Sequence, residues 1–491
     1  MTREAYLAAR VLDALLREDY GRLSSRVTRS KDGVALVLAG GGRVRLAPGT
    51  LFQDFVVAPE ERLDLGAVLG TLAEVADPAD ARGVAAFSEE CAAALAALEL
   101  HDAHLPEVLA RRPSYESRAA FVDHPVYPTS RARPGLTAGE LLAYAPEFAP
   151  SFELRWAAVP RGMLVPGSAR AAFWGDLGAG EALFPVHPLA VDEVRKVARI
   201  LDGERLRVRP TLSMRTVEID SCTHLKLPLP TSTLGARNRR TIKPGTLHDG
   251  ARAELLLREL ADPDVLVADE QTFAHTGHEF LAWMVRRLPA GRIVPVAALN
   301  APGVLAELRD VLGDVLPAYL RILLRWNVRL FVRYGVALEA HQQNLSLVFA
   351  DGGMKLLVKD NDGLLASPAR LAAAGVAVPD FADERMLTDD PHALADMFVT
   401  ITLHLAAAAV VFGALPHAEA AALLRDTLSD ALAEHGDDPM ARLLRARTLD
   451  AARLTGKSMI TAGTLMTKER SGARDVNKFY GTSGPNYLRR A

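Results

Sequence analysis

Apolar positions in the first 110 residues recur mostly at helical spacing. Leu7, Val11, Leu12, Leu15 and Leu16 share one face of a 3.6-residue period with charges between them, which predicts a helix laid on a core. One stretch departs from that period. Val34, Leu36 and Leu38 alternate, Gly40-Gly41-Gly42 turns the chain, and Val44 and Leu46 alternate again, the pattern of a hairpin inside a helical region. From about 115 to 285 Pro, Gly, Thr and Arg are more frequent, and short β-like runs occur at Arg215 to Ile219 and His224 to Leu229. From about Pro302 onward long alanine- and leucine-rich helices are predicted, interrupted by a strand pair, Leu345 to Phe349 and Met354 to Val358, around Asp351-Gly352-Gly353. Asp390-Pro391 reads as an N-cap with proline at the first helical position. No repeat at solenoid spacing is present.

The stretch from Met397 to Leu415 is apolar enough to raise the question of a bilayer. It contains Thr400, Thr402 and His404 and takes much of its length from alanine, so a buried helix is predicted, and no membrane partner.

Composition narrows the function classes. The chain has 491 residues, 49% of them hydrophobic and 24% charged, and so is expected to form about three domains with a substantial core. Lys+Arg 57 against Asp+Glu 60 gives a net charge of −3, which leaves no global field for nucleic acid or an anionic membrane. The two cysteines, Cys91 and Cys222, make no disulfide framework and lie in no zinc-type spacing. The N-terminal helix pattern lacks the apolar centre of a signal peptide, so a cytoplasmic protein is expected.

Three polar clusters carry candidate chemistry. The first is Glu339-Ala-His341-Gln-Gln343-Asn344 with Lys359-Asp360-Asn361-Asp362-Gly363, which places polar groups at both ends of the predicted hairpin. Asn and Asp side chains there offer hard oxygen ligands to Mg²⁺, which binds through one or two carboxylates plus substrate phosphates, while His341 and Gln343 suit phosphate oxygens. A capped turn beside a solvated loop is the plainer reading. The second is Ser213-Met-Arg215-Thr216, then His224-Leu-Lys226 and Arg237-Asn-Arg239-Arg240-Thr241-Ile-Lys243. Hydroxyls mixed with Arg and Lys match a phosphate chain. The cluster has no interleaved aromatics for base stacking, which argues against nucleic acid, and a charged strand edge is its structural alternative. The third is His124-Pro-Val-Tyr127-Pro-Thr-Ser-Arg131-Ala-Arg133-Pro-Gly135, where prolines stiffen a segment that would aim Arg131 and Arg133 at a carboxylate.

Taken in chain order, these clusters resemble the IucA/IucC family, the NRPS-independent siderophore synthetases. The family's G-H-P-x-H-P-x-x-K-x-R-x-G segment is matched from Asp123 to Gly135, its Y-A-P-E-F by Tyr144 to Phe148, and L-x-W by Leu154-Arg-Trp156. Val186-His187-Pro188, Ser213 to Thr216, Lys226-Leu227, Arg240-Thr241-Ile242, Glu339 to Asn344 and Lys359-Asp360 follow in the family's order. The chain departs at Asp123 (Gly in the family), Tyr127 (His), Arg131 (Lys) and Leu189-Ala190 (Trp-Gln), mostly in the acid-binding half of the set.

The resemblance implies an α+β, cupped-hand fold. It has an N-terminal mainly helical lobe (1–115), a sheet-rich lobe with the ATP and acid motifs (116–285), and a helical lobe carrying E-x-H-x-Q-N (286–491). It implies adenylation of a carboxylate of citrate or a related polycarboxylic acid by ATP, and attack on the adenylate by an amine or hydroxyl. Ser213, Arg215, Thr216, Lys226, Arg240, His341, Gln343 and Asn344 would bind ATP, with Arg215, Lys226 and His341 acting in catalysis. Arg237 and Arg239 are alternatives to Arg240. Glu339 and Asp360 would hold Mg²⁺, and His124, Arg131 and Arg133 the acid. A homodimer is implied as well, with the apolar helices after residue 390 as one source of an interface. Two rivals are weighed. A phosphotransferase is suggested because Glu339, Asn344 and the later Asp360 echo kinase metal ligands, although no Gly-rich phosphate loop precedes a strand lysine. A non-catalytic, carboxylate-binding relative is suggested by the departures at Tyr127 and Leu189.

Overall fold

Thr2 caps the first helix, Arg3–Arg17, by accepting the Ala5 N–H, and the face with Leu7, Val11, Leu12 and Leu15 is buried as its spacing predicts. The structure, a computed structural model, describes residues 1–166, 174, 180–203, 205–350, 352–472 and 479–489. A four-stranded antiparallel sheet follows in chain order: Val27–Ser30, Gly33–Val37, Arg43–Pro48 and Phe55–Val57. Its middle pair is the predicted hairpin, with Val34 opposite Leu46 and Leu36 opposite Val44. The outer strands have four and three residues, too few for alternation to reveal them. Helices Leu65–Val75 and Ala81–Ala110 complete this region.

The middle of the chain forms two antiparallel sheets. Six strands run in the order Asp269–His275, Ala282–Arg287, Thr223–Lys226, Thr216–Asp220, Arg207–Pro210 and Phe152–Glu153. The two predicted runs are its centre, with Thr216 opposite Lys226. A three-stranded sheet (Glu181–Val186, Arg155–Pro160, Arg199–Leu201) shares an apolar core with it around Phe184, Val217, Leu225 and Trp283. A third sheet has the order Val265–Val267, Gly353–Val358, Leu345–Ala350 and Arg292–Pro295. It contains the second predicted hairpin, Leu345 opposite Val358, whose turn residue Asp351 lies outside the described residues.

The largest core lies under this third sheet, where Leu316–Arg329, Pro391–Ala414 and His417–Ala433 pack around Trp326, Phe331 and Phe398. Asp390 caps the second of these by accepting the His392 N–H, with Pro391 leading the helix. By length and composition Pro391–Ala414 could cross a membrane, yet 78% of its apolar window is buried inside the fold. Its polar residues are satisfied there. Thr400 donates to the Asp396 carbonyl (2.8 Å), and His404 sits between the Tyr487 hydroxyl (2.9 Å) and the Thr455 carbonyl (2.8 Å).

The chain finally crosses back to its beginning. Strand Arg453–Gly456 pairs with Thr482–Pro485, and the segment between them enters the N-terminal core with Ile460 and Leu465. Buried Glu18, just after the first helix, fixes that segment by accepting the N–H groups of Ile460 (3.0 Å) and Thr461 (2.9 Å). Helices and mainly antiparallel sheets are thus largely segregated, an α+β architecture as expected.

Candidate active site

A tight turn from Thr211 to Thr216 enters the six-stranded sheet. The Thr211 hydroxyl donates to the Thr216 carbonyl (2.8 Å), and Ser213 Oγ accepts the Thr216 N–H (3.1 Å). Met214, at φ 62°, is held in a left-handed conformation rare for such a side chain, which is buried in a cluster with Phe148 and Leu229. With Met214 anchored, its neighbours Ser213 and Arg215 line a cavity of about 380 Å³, and Arg215 is braced by donating to the Thr241 carbonyl (2.8 Å).

The second hairpin brings its two polar ends to the same cavity. At one end Asn344 donates its backbone N–H to the His341 carbonyl (2.8 Å) and its side chain to the Glu339 carbonyl (3.2 Å), while Lys359 N–H crosses to the Asn344 carbonyl (3.0 Å). At the other end Asp360 has φ 62° and gives its N–H to buried Glu270 (2.9 Å). Glu339, His341, Gln343, Asn344 and Asp360 all line the cavity. Gly363 allows Glu339 to lie where it does, since a Cβ there would come within 2.0 Å of Glu339 Oε2.

Thr216 and Lys226, expected on the phosphate chain, are not among the cavity-lining residues. Both are buried on paired strands, and the Lys226 ammonium is ion-paired with Asp360, with Asp362 at 3.4 Å. Opposite charges so close in a buried setting hold each other, so Lys226 reaches the cavity through Asp360. Burial alone would raise the Asp360 pKa, but Lys226, then Arg286 and Arg215, outweigh it and hold the carboxyl well below the usual carboxylate range.

The segment from His124 to Gly135 departs most from expectation. Arg131 lies at the cavity edge with its three nitrogens engaged: Nε on Asp123 (2.7 Å), Nη1 on His101 Nδ1 (2.9 Å) and Nη2 on the Phe121 carbonyl (2.7 Å). Asp123, which stands where the family has glycine, supplies the countercharge and also accepts from the Tyr6 hydroxyl (2.7 Å). Tyr127, which stands where the family has histidine, is fully buried, with its hydroxyl 3.4 Å from Thr464 Oγ1 in the N-terminal core. These three departures therefore fasten the segment to the first helix and to the returning C-terminal segment. Arg133 and His124 do line the cavity. His187 does not; it is core, between the rings of Tyr144 and Phe152.

All three neighbouring arginines line the cavity; the charges of Arg215 and Asp360 act on Arg240, while Arg239 pairs with Glu279 (2.8 Å) and Arg237 donates to the Ala462 carbonyl (3.1 Å). Burial, then Arg215, lowers the Arg240 pKa to about 9. Its Nε and that of Arg133 are buried without a hydrogen-bond partner. Sequence reasoning assigned no role to Arg385, Lys457 and Lys468, which also line the cavity. No local pattern marks them, because Lys457 arrives with the C-terminal return.

The two cavity histidines are neutral. Burial, then His341, brings His124 down to about 3; burial, then Lys457, brings His341 down to about 4. Each Nδ1 accepts a backbone N–H (Tyr127 to His124, 3.0 Å; Gln343 to His341, 3.3 Å), so each Nε2 carries the proton and is a donor. The cavity thus combines several fixed cations and two neutral donors with carboxylates at one end, a set suited to a polyphosphate and a polycarboxylate. Among the described residues no group of three or more His, Cys, Asp or Glu side chains forms a metal site.

Residues 114–301 match the model of the IucA / IucC family, and residues 316–471 match that of the ferric iron reductase FhuF-like transporter. The chain is 26% identical over 334 residues to the rhizobactin siderophore biosynthesis protein RhbC of Rhizobium meliloti, covering 55% of this chain and 57% of that one. It is 23% identical over 334 residues to staphyloferrin B synthase of Staphylococcus aureus, covering 54% and 56%. The chain spans about half the length of the curated relatives it matches. The fold is that of petrobactin biosynthesis protein AsbB from Bacillus anthracis (TM-score 0.73, 15% identity, 99% of this chain and 95% of that one). It is also that of ATP-bound aerobactin synthetase IucA from Klebsiella pneumoniae (TM-score 0.71, 17% identity, 98% and 99%). Residues 114–301 thus carry the IucA/IucC family segment, and the chain shares the fold of these siderophore-synthesis proteins along its length.

Proposed function

We propose that this protein transfers AMP from ATP to a carboxylate of citrate or a related polycarboxylic acid and condenses the acyl-adenylate with an amine or hydroxyl nucleophile. One observation carries the reading: Arg215, Arg240 and the neutral donors His124 and His341 converge on one cavity that ends at Glu339 and Asp360.

A carboxylate oxygen would attack the α-phosphorus of ATP, the bond to the β-phosphate oxygen breaks, and pyrophosphate leaves with the electron pair. Charge would build on the departing group, and Arg215, braced on the Thr241 carbonyl, would offset it together with Arg240. Ser213, Gln343 and Asn344 would position the phosphates, and His341 would donate its Nε2–H. Lys226 keeps Asp360 ionised and in place. Glu339 and Asp360 fit Mg²⁺, two hard carboxylates beside a phosphate site, and the ion would supply further neutralisation of phosphate charge. Arg133 and His124 would hold the acid, whereas Arg131, locked on Asp123, would hold the segment. We place the reaction in the cytoplasm, where ATP is available, and take a homodimer from the resemblance.

The test is release of AMP and pyrophosphate from ATP with Mg²⁺ across a panel of di- and tricarboxylic acids, with hydroxylamine as trap. Acid-dependent AMP with a hydroxamate is expected. ADP in place of AMP would mean phosphoryl transfer, and silence in folded, ATP-binding protein would mean a non-catalytic binder.

A further inference from the structure

Glu147 lies in the short turn Pro146–Phe148, lines the cavity and is 1% exposed, yet neither of its carboxylate oxygens has a hydrogen-bond partner. A buried carboxylate is costly unless something pairs with it. Two basic groups lie close enough to act on it or be acted on by it, Arg133 and His101. Neither bonds it. Arg133 Nη1 donates to the carbonyls of Ser130 (2.9 Å) and Ala132 (3.1 Å), and His101 Nδ1 is turned to Arg131. Glu147 is therefore not one half of an internal ion pair, unlike Asp123, Glu270 and Glu116, each of which has its own Arg or Lys.

Its place in the cavity is informative. Arg240 is acted on by Arg215, Asp360 and Asp362 at the phosphate end and by Arg133; Arg133 in turn is acted on by Glu147. Arg133 thus links the phosphate end to Glu147. An acid held by Arg133 would lie within reach of the charges of both Arg240 and Glu147, and Glu147 is a buried, unpartnered carboxylate in the cavity that the second reactant must also enter.

We propose that Glu147 is the subsite for a cationic nucleophile: it binds an ammonium group and takes the proton that must leave before nitrogen can attack. The inference rests on the adenylation reading and selects an amine, hence an amide product, over an alcohol. The ammonium gives one proton to the Glu147 carboxylate. The freed nitrogen lone pair forms the N–C bond to the acyl carbon, and the acyl C–O bond to AMP breaks with its electron pair leaving on the phosphate oxygen. The second N–H proton then passes to solvent.

The experiment pairs Glu147→Gln with calorimetric titration of 1,4-diaminobutane and, as the uncharged control, 1,4-butanediol, alongside acid-dependent exchange of pyrophosphate into ATP. The parent protein is expected to bind the diamine and not the diol. E147Q should bind it at least about tenfold more weakly, the loss of one charge-assisted contact, with exchange and the KM for acid unchanged. Glu147→Asp, which keeps the charge, should fall between the two and serves if E147Q does not fold. Equal diamine affinity in parent and variants, or no diamine binding at all, would overturn the proposal. So would loss of exchange in E147Q, which would make Glu147 a support for Arg133. Diamine binding that depends on Glu147 in a protein with no exchange upholds the subsite and sinks adenylation alone.

Discussion

The Lys226 ammonium and the Asp360 carboxylate are ion-paired across two different sheets: Lys226 ends a strand of the six-stranded sheet, and Asp360 follows the strand Gly353–Val358 of the four-stranded one. Arg286 adds a second cation 3.7 Å from the same carboxylate. Removing Lys226 takes the nearest of these cations from a half-buried carboxylate and leaves it with Arg286. Lys226→Met should therefore cost about 3 kcal/mol of stability in urea unfolding, and Lys226→Met with Asp360→Asn should recover part of it. Additive losses in the double variant would mean the pair does not join the sheets.

Arg131 and Arg133 are two residues apart but differ in their partners. Arg131→Ala should lower stability by about 3 kcal/mol, because it strands Asp123, while changing the KM for acid little. Arg133→Ala should raise that KM at least about tenfold at nearly constant melting temperature. The opposite assignment of effects would return the acid contact to Arg131.

Gly363→Ala places a methyl group against Glu339. The carboxylate must move, since the contact is far inside van der Waals distance. The expected result is a rise of at least about tenfold in the Mg²⁺ concentration needed for half-maximal activity, with ATP affinity less affected. Unchanged Mg²⁺ dependence would remove Glu339 from the metal.

Burial holds the His187 pKa down at about 3. A histidine depressed in the folded state is neutral there while the unfolded chain takes up a proton, so its contribution to stability is complete above about pH 6.5 and declines as pH falls. His187→Phe lacks that slope. The stability gap between parent and variant should shrink by about 1 kcal/mol between pH 6.5 and 5.5, measured by urea unfolding at each pH. A constant gap would mean that His187 is not neutral in the fold.

What was legible in the sequence depended on how local the signal was. The hairpin Leu345 to Val358 was readable because alternation and a glycine turn lie in one window, and it carried His341 and Asp360 to the same place at once. The turn at Ser213 to Thr216 was readable as a motif, but which of its side chains faces the cavity depends on Met214 being pinned at positive φ. Thr216 and Lys226 turned inward because they pair across strands. Asp123 and Tyr127 looked like losses in an acid site and Arg131 like one of its ligands; only their partners Tyr6, His101 and Thr464, far off in sequence, show how they fasten the segment instead. Lys457 and Lys468 carried no signal, since nothing near them says where the chain returns.

That return sets an order of events during synthesis. Glu18 is made 442 residues before Ile460, yet the amides it accepts belong to Ile460 and Thr461, and the core of Leu12 and Phe87 is closed by Ile460 and Leu465. Until the segment from Ile460 to Leu465 has left the ribosome, this lobe waits with an apolar face uncovered and Glu18 without its amide donors. Contacts of such long sequence separation form slowly, and intermediates that expose apolar surface aggregate. Truncations before Leu465, or slow translation ahead of it, therefore threaten the lobe of the first helix as much as the segment that is lost or delayed.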